Sequence, residues 1–465
     1  MISTFPPFTA ALTRRLRPDA AAPLALGFSG GGDSLALLIL TLDWARAHGR
    51  AVVALTVDHQ INPASAAWTA EAVARARALG AEARALAWTG DKPSTGLPAA
   101  ARAARHALLA DAARAAGAHV LLLGHTADDL AEAAAMRAEG STVSDPRDWS
   151  PSPAWPEGRG VFVLRPLLAV GRGELRDWLS ARGETWLDDP ANDDPRYARA
   201  RARRDLQSSK VLSSRTSAQR ADPGPPEAPR CASSGMTGEV GNAPPPTLRG
   251  GGDGYLVLPR DAPAAHVAAA CLCAAGTAQP PRGERLQRLV HRIRAGEAFT
   301  ATLAGARVEA GGDTVSVFRE PGESRRSTPP PVGEVSAKPT VGGVGRGGIS
   351  PPTDPSDRLP HGGRDYLALP VNQPVVWDGR YEITAVTPGL TVRALQGLAA
   401  RLPAAQRQAL KGLPAAARPS LPVVLAPDGT VSCPILAEPN ATPARCLVMD
   451  RFHAATGRVD QEPAT

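Results

Sequence analysis

The sequence predicts an α/β protein whose first two hundred residues form a parallel sheet, and three observations carry that prediction. From Pro23 to about Leu206, short apolar runs alternate with longer amphipathic stretches, the pattern of strands separated by crossover helices. The runs are dense in Val, Leu and Ala with few polar interruptions, as expected of strands buried on both faces. Gly, Ser, Asp and His gather just after them, at the carboxyl ends where such sheets bind ligands.

The elements follow in order. "PLALGFS" reads as a strand and Ser34 to His48 as a helix; "AVVALTV" is the next strand, followed by a helix from Ser65 to Leu79. "AEARALAW", the helix Leu97 to Ala116, the strand "AHVLLLGH" and a helix from about Asp128 to Ala138 complete the run. Residues 1–206 are therefore expected to be one domain. Residues 207–254 are rich in Ser, Pro and Gly without sustained periodicity, and read as a linker or disordered insertion. Residues 255–320 read as a small α/β unit, with a helix through "GERLQRLVHRIRAG" and paired strands in "FTATLAGARVEAGGDTVSVFRE". A second Pro/Gly-rich linker spans 321–365. Residues 366–465 again mix short strands, with one helix expected near Val392 to Leu402.

At 465 residues the chain has room for two or three cores. The formal charge of +7 suits a polyanionic partner without requiring one. Nearly all the cations are arginine, since Lys92, Lys210, Lys338 and Lys411 are the only lysines. The five cysteines, Cys231, Cys271, Cys273, Cys433 and Cys446, form no CxxC pair and no Cys/His array of zinc spacing. Cys271 and Cys273 are expected as small apolar residues of an alanine-rich helix. With no signal-peptide pattern and no apolar run of membrane length, the expected setting is the cytoplasm, with no membrane partner.

"GFSGGGDSLALL", Gly27 to Leu38, is the most informative stretch. Glycines between a strand and a helix turn several N–H groups toward one point, where the helix dipole adds positive potential, and an anion belongs there. The plainer reading is a glycine-rich connection with Ser34 as helix cap. The spacing is neither that of a Walker loop nor that of the dinucleotide fingerprint. Residues Ser29, Gly30, Gly31, Gly32, Asp33 and Ser34 match the SGGxDS loop of the PP-loop ATP pyrophosphatases, residue for residue.

The remainder of the first domain narrows the likeness. "TVDHQINPASAAWTAEAVARARALG" resembles a segment of the tRNA(Ile)-lysidine synthase family and keeps Asp58, His59, Ser65 and Glu71. "LPAAARAARHALLADAARAAGAHVLLLGHTADDLAEAAAMRAEGS" is similar to the next, with Arg102, Arg105, Gly124, His125, Asp128, Asp129, Glu132 and Arg137 in place. "LRPLLAVGRGELRDWLSARGETWLDDPANDDPRYARARARRDL" resembles a third, with Arg165, Arg172, Asp189, Asn192, Arg196, Arg199, Arg201 and Arg203 in register. The likeness covers most of residues 23–206 and recurs more weakly beyond them.

What this resemblance implies is an enzyme that uses ATP to adenylate the wobble cytidine of a CAU-anticodon tRNA(Ile), after which L-lysine displaces AMP. It implies ATP binding by Ser29, Gly30, Gly31, Gly32, Asp33, Ser34, Asp58 and His125. Asp33, Asp128 and Asp129 would be catalytic, with Asp33 and Asp129 holding Mg²⁺ or the lysine ammonium, since carboxylates attract both. Arg105, Glu132, Asp189 and Asn192 would lie in or near the active site, and Arg196, Arg199, Arg201 and Arg203 would contact tRNA. Plainer readings stand beside these: capping of the following helices by the aspartates, a structural His125, and a solvated helix face for the arginine run. Four positions depart from the family pattern, at His106, Leu130, Glu139 and Ala200. They motivate a non-catalytic relative as the alternative. A thiolating relative is disfavoured because its chemistry calls for cysteines that the first domain lacks.

Overall fold

The computed structural model describes residues 5–141, 145–187, 201–206, 253–278, 280–321, 366–436 and 442–464. Of the segments read as linkers, 207–254 and 321–365, all but residues 253, 254 and 321 lie outside these. By contacts the chain divides into two units, Met1–Pro245 with Gly457–Thr465, and Pro246–Thr456.

The first unit opens with helix α1 (Pro6–Arg15) and is built on six strands: β1 (Leu24–Gly27), β2 (Val52–Asp58), β3 (Glu82–Ala87), β4 (Val120–Leu122), β5 (Trp149–Pro151) and β6 (Phe162–Leu164). Their order across the sheet is β3-β2-β1-β4-β6-β5, all parallel except β5 at the edge. Between the strands run α2 (Gly32–Ala47), α3 (Ser65–Ala78), α4 (Leu97–Ala115) and α5 (Ala127–Ala138), with α6 (Arg172–Ala181) after β6. The strand–helix alternation read from the sequence is present with element ends shifted by a few residues. Leu24, Ala25 and Leu26 of β1 are completely buried, so the run is apolar without alternation because helices cover both faces. Helix α2 is buried on nearly every side, from Leu35 through Leu42, which is why "LALLILTL" shows no amphipathic period.

Chain order reverses between β1 and β4: β1, β2 and β3 step toward one edge while β4 and β6 step toward the other. At such a switch point the loops leaving neighbouring strands diverge and open a crevice. The loops that diverge here are residues 28–31 and 123–126.

Segment 457–464 completes this unit. The Trp149 indole N–H donates to the Val459 carbonyl at 2.8 Å, and the Glu462 backbone N–H donates to the Arg15 carbonyl at 2.8 Å. The Glu462 carboxylate takes a bidentate pair from Arg50, at 2.6 and 2.8 Å, with both side chains essentially inaccessible (1% and 0% exposed).

In the second unit an antiparallel sheet of order β7-β10-β9-β8 (β7 Leu256–Pro259, β8 Phe299–Leu303, β9 Ala306–Gly311, β10 Thr314–Arg319) shares a core with helices Ala264–Ala275, Gly283–Arg294 and Val448–Ala455. Cys271 and Cys273 are fully buried in the alanine-rich helix, as expected, and burial pushes both thiols up to about 12. Such thiols are inert. Around residues 366–446 lie two smaller sheets with their own core.

One expectation fails in this unit. Residues Val392 to Leu402 do not form a helix: Thr391–Ala394 is a strand, Ala399–Arg401 a single 3₁₀ turn, and the α-helix comes later, at Ala404–Lys411. Val392 is buried while Thr391 and Arg393 are partly exposed, a period of two. Gly397, at φ +80°, then breaks any helical continuation.

Candidate active site

The loop after β1 is shaped by its glycines and serines. Gly30 has φ +83°, where any side chain is strained, and a Cβ added there would fall 2.7 Å from Leu187 Cδ1 and have to displace it. Gly31 is the cap position of α2 and Gly32 its first residue. The Ser34 hydroxyl donates to the Gly31 carbonyl at 2.9 Å and accepts the Ser29 N–H at 3.3 Å, while the Ser29 and Ser34 hydroxyls lie 3.2 Å apart. Ser34 thus braces the loop from the first turn of α2 and is not its cap. From the far side, the Leu187 N–H donates to the Gly30 carbonyl at 3.0 Å, and Trp186 lies against the Gly32 position.

Across the switch point, Gly124 lets the second loop approach: a Cβ there would sit 3.2 Å from the Asp33 carbonyl oxygen and 3.3 Å from Ser34 Cα. Thr126 and Asp129 form a capping box at the start of α5, with the Thr126 N–H donating to Asp129 Oδ2 at 2.7 Å. The plain capping reading of Asp129 is therefore real, and it occupies one carboxylate oxygen. Asp128 also caps a helix, though a distant one: its Oδ2 accepts the Arg172 backbone N–H at 2.7 Å, at the start of α6.

Arg172 joins these carboxylates. Its Nε donates to Asp33 Oδ2 at 2.9 Å and its Nη1 to Glu132 Oε1 at 3.0 Å, while Nη2 stands 3.6 Å from Asp129 Oδ1. Glu132 is almost wholly buried, and the same Oε1 accepts Arg203 Nε at 2.9 Å. Burial works against the charge of Arg172, but Asp33, Glu132 and Asp129 outweigh it and its pKa lies above the ordinary value. Burial also lifts the Asp33 carboxyl above its usual range, with Arg172 pulling the other way.

A second group stands beside the end of β2. Asp58 accepts the Gln60 N–H at 2.8 Å and its backbone carbonyl accepts the Trp88 N–H at 2.8 Å. The His59 ring meets Trp88 edge-on, with centroids 6.1 Å apart, and Lys92 Nζ lies 4.1 Å from the Trp88 ring centroid. Burial, then the charge of Arg105 on α4, holds His59 below its usual pKa. His125 follows β4, half-buried, its N–H donating to the Leu123 carbonyl at 3.0 Å.

His106 is buried next to Arg105, Arg102 and Arg165. Burial first, then those charges, depress it to about 3. The unfolded chain takes up this proton near 6.5 and the folded chain does not until about 3, so stability is lost as pH falls through that window. Urea unfolding of the wild type is expected to lose about 2 kcal/mol more between pH 7 and pH 5 than His106→Phe does. Parallel pH dependence of the two proteins would refute this.

Of the expected site residues, the structure thus gathers Ser29 to Ser34, Asp128, Asp129 and Glu132 around the switch point and adds Arg203. Asp58 and Arg105 fall in the neighbouring group. Asp189, Asn192, Arg196 and Arg199 lie outside the described residues, as does Ala200. Sequence reading missed Arg172 as a site member and Trp186–Leu187 as the backing of the loop. One signal for Arg172 was available: a cation at the first position of a helix opposes the macrodipole and needs anions to hold it.

A phosphate-shaped loop and buried carboxylates meeting at the switch point of a parallel sheet define a PP-loop, ATP-using α/β protein. The family model described as the PP-loop domain matches residues 6–210. The chain is 51% identical over 462 residues to the tRNA(Ile)-lysidine synthase of Caulobacter vibrioides, covering 98% of both chains. It is 40% identical to that of Hyphomonas neptunium over 62% of this chain and 79% of the relative, and 36% identical to that of Methylobacterium nodulans over 68% and 95%. This chain belongs to the tRNA(Ile)-lysidine synthase family.

Proposed function

We propose that this protein is an ATP-dependent ligase that joins L-lysine to C2 of the wobble cytidine of the CAU-anticodon tRNA(Ile), in the cytoplasm. The observation that carries this reading is the carboxylate group Asp33, Asp129 and Glu132 set against the Ser29–Ser34 loop, in a chain related to its family over nearly its full length. In the first step the C2 oxygen of the cytidine attacks the α-phosphorus of ATP, and the bond to pyrophosphate breaks. In the second, the lysine ε-nitrogen bonds to C2 as the bond to AMP breaks and a proton leaves.

The chain's residues divide this work. Backbone N–H groups of Gly30 to Gly32 and the start of α2 hold the departing pyrophosphate, where negative charge grows in the transition state. Asp58, His59 and Arg105 line the nucleotide's other side, and His125 donates to a phosphate. Asp33 and Asp129 offer carboxylate oxygens to the lysine ammonium and to Mg²⁺.

Among the described residues no three His, Cys, Asp or Glu side chains converge on a metal-sized point. Hard oxygen donors still fit this ion, which is usually held by one or two carboxylates together with substrate phosphates. When bound it neutralises charge on the phosphates.

The arginine run supplies the tRNA contact. Arg201 and Arg204 are exposed, and Arg203 Nε donates to Glu132. Arg201→Gln with Arg204→Gln is expected to weaken tRNA binding and lower the slope of log affinity against log salt by about two, with ATP affinity unchanged in the same preparations. An unaltered slope in filter binding would remove these residues from the interface.

The deciding assay combines the purified protein, Mg-ATP, labelled lysine and the CAU transcript, beside one with U at the wobble position. Label should enter the first alone, with one AMP and one pyrophosphate per lysine. Tight tRNA binding without incorporation would favour the non-catalytic alternative.

A further inference from the structure

The guanidinium of Arg172 sits where a ligand cation is wanted. Three of its nitrogens face three carboxylates borne by two helices: Asp33 on α2, and Asp129 and Glu132 on α5. Those helices leave the two strands that flank the switch point, so Arg172 spans the crevice from α6. Arg50, a structural arginine, is held by one carboxylate at both its oxygens together with the Ala22 carbonyl. Arg172 instead takes one oxygen from each of several acids and stands at a helix start whose dipole disfavours it. Among the described residues no three acids converge on a metal-sized point, and the guanidinium lies between Asp33, Asp129 and Glu132.

We propose that Arg172 is a positioning residue and built-in counter-cation, which holds Asp33, Asp129 and Glu132 apart and keeps them from taking a free divalent cation before nucleotide arrives. This rests on the reading of Asp33 and Asp129 as cation-binding groups. It adds an order of events: the metal enters with ATP, on the phosphates, and not ahead of it.

The test uses Mn²⁺ and the full chain without nucleotide, with free ion followed by its electron paramagnetic resonance signal. Arg172→Gln is expected to bind Mn²⁺ at least ~10-fold more tightly than wild type, because Coulomb repulsion by the guanidinium is gone and the acids can close on the ion. Arg172→Lys, which keeps the charge but reaches fewer of the acids, falls between. In the lysidine assay Arg172→Gln lowers kcat more than it raises the KM for ATP, and Arg172→Lys restores part of kcat. Near-UV circular dichroism identifies which variants are folded, and Arg172→Lys serves alone if Arg172→Gln is not. Folded variants with wild-type nucleotide-free Mn²⁺ affinity would overturn the inference. Wild-type protein that makes no lysidine would instead overturn the functional reading, so the two failures are distinct.

Discussion

Asp33→Ala is expected to lower kcat for lysidine formation by roughly two to three orders of magnitude, the usual cost of removing one preorganised electrostatic group at a reacting centre. The expectation follows from its position. Asp33 lies in the first turn of the helix that carries the phosphate loop, and its carboxylate is tied to Arg172 at 2.9 Å. Gly124, in the loop after β4, packs closely against the same turn. Folding should survive, because Arg172 keeps Glu132 and its backbone keeps Asp128. Asp33→Asn isolates charge from shape and should be nearly as impaired. Single-turnover lysine incorporation measures both, and an Asn variant within about threefold of wild type would mean that the charge of Asp33 is not used.

The largest loss of stability is expected far from the crevice, at Glu462→Ala. Arg50 has its guanidinium sealed from solvent, with the Ala22 carbonyl and the Glu462 carboxylate as partners. Removing the carboxylate leaves a buried cation without compensation, which costs about 3–5 kcal/mol. The pair itself is worth much less, since desolvation of both charges offsets most of their attraction. Arg50→Met combined with Glu462→Leu should therefore recover much of the loss. Urea unfolding of the two variants checks this. A loss below about 1 kcal/mol for Glu462→Ala would show that water reaches Arg50.

Much of the first unit was legible because its signals are local. The run "AVVALTV" is continuous and apolar because β2 is covered on both faces, and "SGGGDS" announces its own turn. Asp129 was legible as a cap, and the structure has its Oδ2 capping α5 while Oδ1 stands 3.6 Å from Arg172 Nη2. Arg172 was not, because its partner Asp33 lies 139 positions away and "VGRGELRDW" signals only that this cation needs anions, not which ones. The Val392–Leu402 misreading has a different cause: leucines and alanines favour a helix locally, and the pairing of Thr391–Ala394 with Pro422–Leu425 overrides them. Leu187 was missed for the same reason as Arg172, since a contact with Gly30 leaves no trace in either neighbourhood.

The Arg50–Glu462 pair joins positions 412 apart. During synthesis, at about 5–20 residues per second, domains generally fold as they emerge, the earlier ones first. Here the early domain leaves the ribosome with Arg50, Arg15 and Trp149 facing a strip of missing chain, and the whole second unit is translated before that strip exists. For roughly tens of seconds Arg50 thus keeps only the Ala22 carbonyl on an open flank, so the final closure of the nascent ATP-binding domain is a late, long-range event set by translation.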